Sequence, residues 1–196
     1  MSDASPASFG PSALATPANA LTAARLLAAP AFVGLILSEG PSWVTVAVGV
    51  AVAGSDGVDG WLARRQGATR SGAFLDPLAD KVVVIGAFVA LAAQGRLPWL
   101  PVGLMAGREI AMSGYRSLLG RRGVSIPARR SAKLKTVVQE LAIATCLVPP
   151  LAGQRSLQLG AAWVATALTL SSGVQYLWDG RDALKRSERS VDPAPT

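Results

Sequence analysis

Asp56-Gly57-Val58-Asp59-Gly60-Trp61-Leu62-Ala63-Arg64 and, after a short polar link, Gly72-Ala73-Phe74-Leu75-Asp76-Pro77-Leu78-Ala79-Asp80 set four carboxylates into an otherwise apolar stretch of chain. Asp56 and Asp59 are three apart, and Asp76 and Asp80 are four apart. On helices those spacings put each pair on one face. A carboxylate buried in apolar surroundings costs several kcal/mol unless it is paired or metal-bound. Four together demand a common neutraliser. A single helix would hold Asp56 and Asp80 about 36 Å apart. A hairpin through Gly67 and Gly72, among Arg65, Gln66, Thr69, Arg70 and Ser71, would bring the two pairs together.

The rest of the chain says what surrounds that cluster. Its 196 residues are 51% hydrophobic and only 16% charged, against about 25% charge in an ordinary soluble domain. Mean hydropathy is +0.38. We read six apolar segments of spanning length: Leu21–Leu37, Trp43–Arg65, Gly72–Ala93, Trp99–Leu119, Lys135–Ala152 and Leu157–Trp178, each near the roughly 20 residues a bilayer requires. They are helices, because a segment in hydrocarbon must satisfy its own backbone polar groups. The expected fold is thus an all-α integral membrane protein of six transmembrane helices over residues 18–184. The Ser-, Ala- and Pro-rich residues 1–17 read as a flexible N-terminal tail with no signal-peptide pattern, and residues 185–196 as a polar C-terminal tail. A soluble bundle with a very apolar core is the competing reading, and too few polar positions remain to cover it.

Basic residues orient the spans. Arg64, Arg65, Arg70, Arg121, Arg122, Arg129, Arg130, Lys133, Lys135, Arg181, Lys185, Arg186 and Arg189 fall on one side, and only Arg96 and Arg155 on the other. The positive-inside rule makes the first side cytoplasmic. Both termini and the aspartate cluster then lie at the cytoplasmic face of an inner, multi-pass membrane. The net charge of +7 fits an anionic membrane surface or anionic substrates, with no nucleic acid as partner.

The chain has no histidine and one cysteine, Cys146. That excludes Ser-His-Asp catalysis, histidine-ligated metals, disulfide frameworks and cysteine–zinc sites. Oxygen-only ligands favour Mg²⁺ or Mn²⁺. Two such ions would balance four carboxylates and could clamp a pyrophosphate for in-line phosphoryl transfer. Gly57 and Gly60 leave room for a ligand against the backbone, and Arg64 could meet a phosphate oxygen. Two other readings stand beside this one. The aspartates could pair with Arg64, Arg70 and Lys81 as buried ion pairs, or line the pathway of a small cation transporter.

The quoted residues resemble the signature of the CDP-alcohol phosphotransferase family, D-x2-D-G-x2-A-R-x8-G-x3-D-x3-D. They depart from it in one place: seven residues, not eight, separate Arg64 from Gly72. The missing residue falls in the expected hairpin, where loop length is tolerated. The resemblance implies the family's six-helix fold and transfer of a substituted phosphate from a CDP-linked donor to an alcohol, with release of CMP. It also implies that Asp56, Asp59 and Asp76 hold the two Mg²⁺ or Mn²⁺ ions, with Asp80 contributing and serving as catalytic base. Gly57, Gly60, Ala63, Arg64 and Gly72 would line the CDP pocket. Asn19 and Thr22 join them, because Asn19-x2-Thr22-x2-Arg25 resembles the family's N-x2-T-x2-R. Either residue alone is also an ordinary helix cap.

Arg108-Glu109, Arg116, and Lys133-Leu134-Lys135-Thr136-x2-Gln139 resemble the branch of the family that makes phosphatidylglycerophosphate. Asp80-Lys81 also fits that branch. A dianionic acceptor needs converging cations, and Arg108, Arg116, Lys133 and Lys135 are the candidates. Plain pairing of the arginines with Glu109 or Glu140 is the alternative. The implied partners are CDP-diacylglycerol, sn-glycerol 3-phosphate, membrane lipids and a second copy of the chain in a homodimer. Phosphatidylglycerol or an inositol phosphate would be the acceptor in related branches. Cys146 reads as inert packing, Pro149-Pro150 as a helix end, and Trp43, Trp99 and Trp178 as interface anchors.

Overall fold

A computed structural model describes the backbone of residues 17–66, 70–121 and 130–191, with side chains described for residues 23–55, 81–120 and 134–184. Among the described residues the chain is wholly helical: α1 (Pro17–Glu39), α2 (Trp43–Gln66), α3 (Arg70–Ala93), α4 (Trp99–Arg121), α5 (Arg130–Leu147) and α6 (Arg155–Val191), with one 3₁₀ turn at Pro149–Leu151. α1 packs against both α2 and α3, α4 against α3 and α6, and α5 against α6, with lighter contact of α5 to α2 and α3.

The helix boundaries have local causes. Ser42 caps α2, accepting the Thr45 amide at 3.0 Å and sharing a 2.9 Å hydroxyl contact with Thr45. Gly40 closes α1 at φ 64, and its amide reaches Ile36 O at 3.0 Å. Gly95 closes α3 at φ 70, where the Arg96 and Leu97 amides turn back to Leu91 O. A positive φ at each favours glycine, which has no Cβ to clash there. α5 stops at Leu147 rather than Ala152, because Pro149 and Pro150 lack the amides a helix would need and form the 3₁₀ turn instead. α6 runs on through Val191, past the Leu184 at which the polar tail was expected. Ala183, Leu184, Lys185, Arg186 and Glu188 in that segment are good helix formers.

Burial follows helical period. On α3, Val83, Val84, Ala87, Phe88 and Leu91 form one buried stripe, and on α1 Ala29, Phe32 and Ile36 meet it. Gly49 and Gly86 let the helices close up: a Cβ at Gly49 would stand 3.0 Å from the Phe32 ring, and one at Gly86 would stand 2.9 Å from Val33. Polar side chains point inward as well. Thr45, Glu109, Lys135, Gln139, Gln158, Thr166, Thr169 and Ser172 are buried, while Leu27, Trp43, Val50, Ile110 and Trp178 are more than 60% exposed. An apolar exterior around a partly polar interior is the reverse of a water-soluble bundle.

Within the described residues, one helix segment is both long and apolar enough to cross a bilayer, Arg155–Leu184 of α6. Trp43–Ser55 and Lys81–Ala93 are shorter apolar stretches. Arg108, Glu109 and Arg116 interrupt α4. At 37 residues, or about 55 Å, α6 exceeds the ~30 Å hydrocarbon thickness.

Candidate active site

The signature aspartates Asp56 and Asp59 lie on the backbone of α2, and Asp76 and Asp80 on that of α3. Gly57, Gly60, Ala63 and Arg64 share α2 with the first pair, Gly72 shares α3 with the second, and Asn19 and Thr22 are on α1. The side-chain placement of these residues, and the expected hairpin between the two pairs, lie outside the described residues. So does the side chain of Lys133. As a donor set the four carboxylates, with no nitrogen or sulfur ligand, fit a hard divalent cation such as Mg²⁺ or Mn²⁺. Among the described residues no three acidic or sulfur side chains are grouped to hold a metal.

Contacts flanking the signature on both sides are described. On α1, Arg25 is 4% exposed and its Nε donates to Ser55 Oγ at 3.0 Å. Ser55 immediately precedes Asp56 and donates in turn to Val52 O at 2.7 Å. The arginine of the N-x2-T-x2-R segment is thereby fastened to the start of the signature. At the other end Lys81, the residue after Asp80, reaches across to α4, where its Nζ donates to Ser113 Oγ.

Lys81 leads into a cluster of cations around one carboxylate. Glu109, 5% exposed, accepts from Arg108 Nη1 at 2.8 Å and from Lys135 Nζ of α5 on the same oxygen, Oε1. Its backbone oxygen accepts from Ser113 Oγ at 2.8 Å. Arg108 Nη2 donates to Ser172 Oγ of α6 at 3.0 Å. Arg108 Nε, however, is buried without a hydrogen-bond partner among the described residues. It abuts Gly173, where a Cβ would stand 3.0 Å from it. Among the described residues, the charged groups that act on the Lys81 ammonium are Glu109, Arg116, Lys135 and Arg108. Among the described residues three cations gather at Glu109: Arg108 and Lys135 on its carboxylate, and Lys81 through Ser113 on its backbone oxygen, so the described cations outnumber the described carboxylate by two. Plain arginine–glutamate pairing therefore occurs, but it does not neutralise the group. A surplus of this kind in a low-dielectric interior is stabilised by a bound anion, and a phosphate monoester carries about −1.5 to −2 near neutrality.

Of the expected acceptor residues, the structure brings Arg108 and Lys135 onto one oxygen. Arg116 lies farther along α4, exposed, with its guanidinium 5.5 Å from the Tyr176 ring centroid and Nε 3.4 Å from the Tyr176 hydroxyl. Tyr176 also meets Tyr115 edge-on at 6.1 Å. Lys135, which the sequence reading placed both on the basic side and in the acceptor site, is buried on α5. Ser113, Ser172, Gly173 and Tyr176 escaped the sequence reading. Only the inward period of the small residues on α6 could have flagged Ser172 and Gly173. Glu140 and Arg25 border a separate groove of about 420 Å³ between α1, α2, α3 and α5, otherwise walled mainly by apolar residues such as Phe32, Val52, Val84 and Leu147.

A family model described as CDP-alcohol phosphatidyltransferase matches residues 15–171. A Mycobacterium tuberculosis protein (strain CDC 1551 / Oshkosh) named "Probable phosphatidylglycerophosphate synthase" is 38% identical over 177 residues, covering 86% of this chain and 83% of that protein. The Pseudomonas fluorescens protein named CDP-diacylglycerol–glycerol-3-phosphate 3-phosphatidyltransferase is 37% identical over 189 residues, covering 87% and 96%. A Sodalis glossinidius protein of the same name is 40% identical over 140 residues, covering 69% and 77%. The matched region takes in both signature helices, Glu109 with Lys81, Arg108 and Lys135, and the first part of α6, and on that extent of agreement the chain belongs to the CDP-alcohol phosphatidyltransferase family.

Proposed function

We propose that this chain transfers a phosphatidyl group from CDP-diacylglycerol to sn-glycerol 3-phosphate, giving phosphatidylglycerophosphate and CMP. One observation carries the acceptor assignment: the cation cluster about Glu109 comprises Arg108, Lys135 and Lys81, and Lys81 is the residue next to Asp80 in the chain. An acceptor with its phosphate there would have its hydroxyl within reach of the signature. The names of the relatives agree with this reading.

In the mechanism we infer, Asp56, Asp59 and Asp76, with Asp80 contributing, hold two Mg²⁺ or Mn²⁺ ions. Bound there, the ions would offset the charge of the donor pyrophosphate. Asn19, Thr22, Gly57, Gly60, Ala63, Arg64 and Gly72 hold the CDP moiety. Arg108 and Lys135, with Lys133 and Arg116 nearer the cytoplasm, hold the acceptor phosphate. Asp80 accepts the proton of the acceptor hydroxyl as its oxygen attacks the phosphorus bearing the diacylglycerol. The bond from that phosphorus to the CMP oxygen breaks, and CMP leaves with the electron pair. A carboxylate base suits a chain with no histidine. The apolar groove beside Arg25 is of a size and lining to take donor acyl chain.

We further place the chain in the inner membrane as six spans with both termini and the active site cytoplasmic, in a homodimer. The exposed apolar faces and inward polar groups support a lipid setting. The domain reading remains a tail at 1–17, a catalytic unit at 18–184 and a polar end at 185–196, with α6 extending into the last of these.

The test is CMP release by purified protein from CDP-diacylglycerol with glycerol 3-phosphate, phosphatidylglycerol or inositol phosphate as acceptor, in Mg²⁺ and in Mn²⁺. Release with glycerol 3-phosphate alone is the expected result. Release only with another alcohol overturns the acceptor, and no release under any condition overturns the enzyme reading in favour of a transporter or other non-catalytic role.

A further inference from the structure

We infer that Glu109 is a positioning residue that sets the orientation of Arg108 and Lys135 toward the acceptor phosphate, rather than a counter-ion that merely lowers the site's charge. The inference rests on the functional reading above and deepens it.

Glu109 is the node of the polar interior. Its Oε1 takes a cation from its own helix and another from α5, while its backbone oxygen takes Ser113, which in turn holds Lys81 of α3. Through Arg108 the connection continues to Ser172 on α6. One residue thus fixes groups from four helices. Arg108 has four rotatable bonds that orient its guanidinium, and without a fixed partner it would sample several rotamers. In the structure both of its terminal nitrogens are engaged, Nη1 by Glu109 and Nη2 by Ser172, and Gly173 leaves space along the stem. A guanidinium held on both sides presents its remaining donors in one direction, so less ordering is required when the anion binds. Lys135 is a compact charge on a flexible stem, and the same carboxylate oxygen anchors it beside Arg108.

The two roles predict opposite signs. If Glu109 only offsets charge, removing its charge makes the site more positive and tightens binding of a phosphate dianion. If it positions, the same change frees both cations and weakens binding. Initial rates of CMP release are measured for wild type and Glu109→Gln, varying glycerol 3-phosphate and CDP-diacylglycerol separately. Positioning predicts an acceptor KM raised about tenfold, with donor KM and kcat each within about threefold of wild type. An acceptor KM unchanged or lowered overturns the inference. Should Glu109→Gln not accumulate in membranes, Glu109→Asp is read instead. It keeps the charge but draws the carboxylate back by one methylene, so positioning predicts a raised acceptor KM and charge balance predicts none. A wild-type protein that turns over no glycerol 3-phosphate overturns the functional reading itself, and this inference with it.

Discussion

The two ends of the helix bundle use cations in opposite ways. At the Arg96–Arg155 end, charged groups serve the backbone. Arg155 Nη1 donates to Gly95 O at 2.9 Å and to Arg96 O at 2.5 Å, holding the link that follows α3. Gln94 reaches Ile36 O at 2.6 Å and Leu37 O at 3.3 Å, capping α1, and its own oxygen accepts from Arg96 Nε. The Ile36 and Leu37 carbonyls are among the orphan acceptors that a helix end leaves behind. The described contacts of both arginines at this end are to neutral oxygens of the protein itself. At the Lys81–Glu109 end, cations from three helices face one another with, among the described residues, a single carboxylate between them. That arrangement is costly when empty and is stabilised when an anion enters. On the proposed function, the difference separates a structural use of arginine from a functional one.

Substitutions can break that contrast, and the expected effects descend in size. Asp80→Asn removes the proposed base and should lower kcat by at least about 10², while CDP-diacylglycerol still binds. Retained turnover, read as CMP release, takes Asp80 out of the base role. Arg108→Ala removes a charge-assisted contact worth about 2–3 kcal/mol, so the acceptor KM should rise roughly 30- to 150-fold with the donor KM unchanged. A change confined to the donor KM would relocate the arginine to the nucleotide. Gly173→Ala should have a smaller effect of the same kind, near tenfold on acceptor KM, because the added methyl displaces Arg108 from α6. Arg155→Ala belongs to the other class. It should lower stability by about 1 kcal/mol, a few degrees in thermal unfolding of the detergent-solubilised protein, with both KM values unmoved. A kinetic defect there would erase the distinction between the ends.

Much of this was legible in the sequence, for physical reasons. Helices α2 and α4 begin at Trp43 and Trp99 as read, because Gly and Pro punctuation precedes each. The aspartate spacings carried the chemistry because buried carboxylates are too costly to be incidental. The same argument singled out Arg108 inside α4 and offered Glu109 as its partner, and the structure pairs them. That Lys135 joins the same oxygen was not readable, since it depends on how α4 and α5 sit across from one another and not on any local pattern. Ser172 and Gly173 were silent for a different reason. Small neutral residues on an apolar helix carry no motif, and their importance comes only from the arginine that lies against them. Where α5 ends was misread by a few residues because the apolar run continues through Pro149-Pro150 while the backbone cannot.

The most direct test of the account is the lipid product formed by the purified protein from CDP-diacylglycerol and glycerol 3-phosphate, identified by mass spectrometry alongside CMP. The account predicts phosphatidylglycerophosphate, a lipid with two phosphates, formed one-to-one with CMP. Phosphatidic acid as the sole lipid product would mean water had taken the place of the acceptor, and it would contradict the assignment of the Arg108–Lys135 cluster.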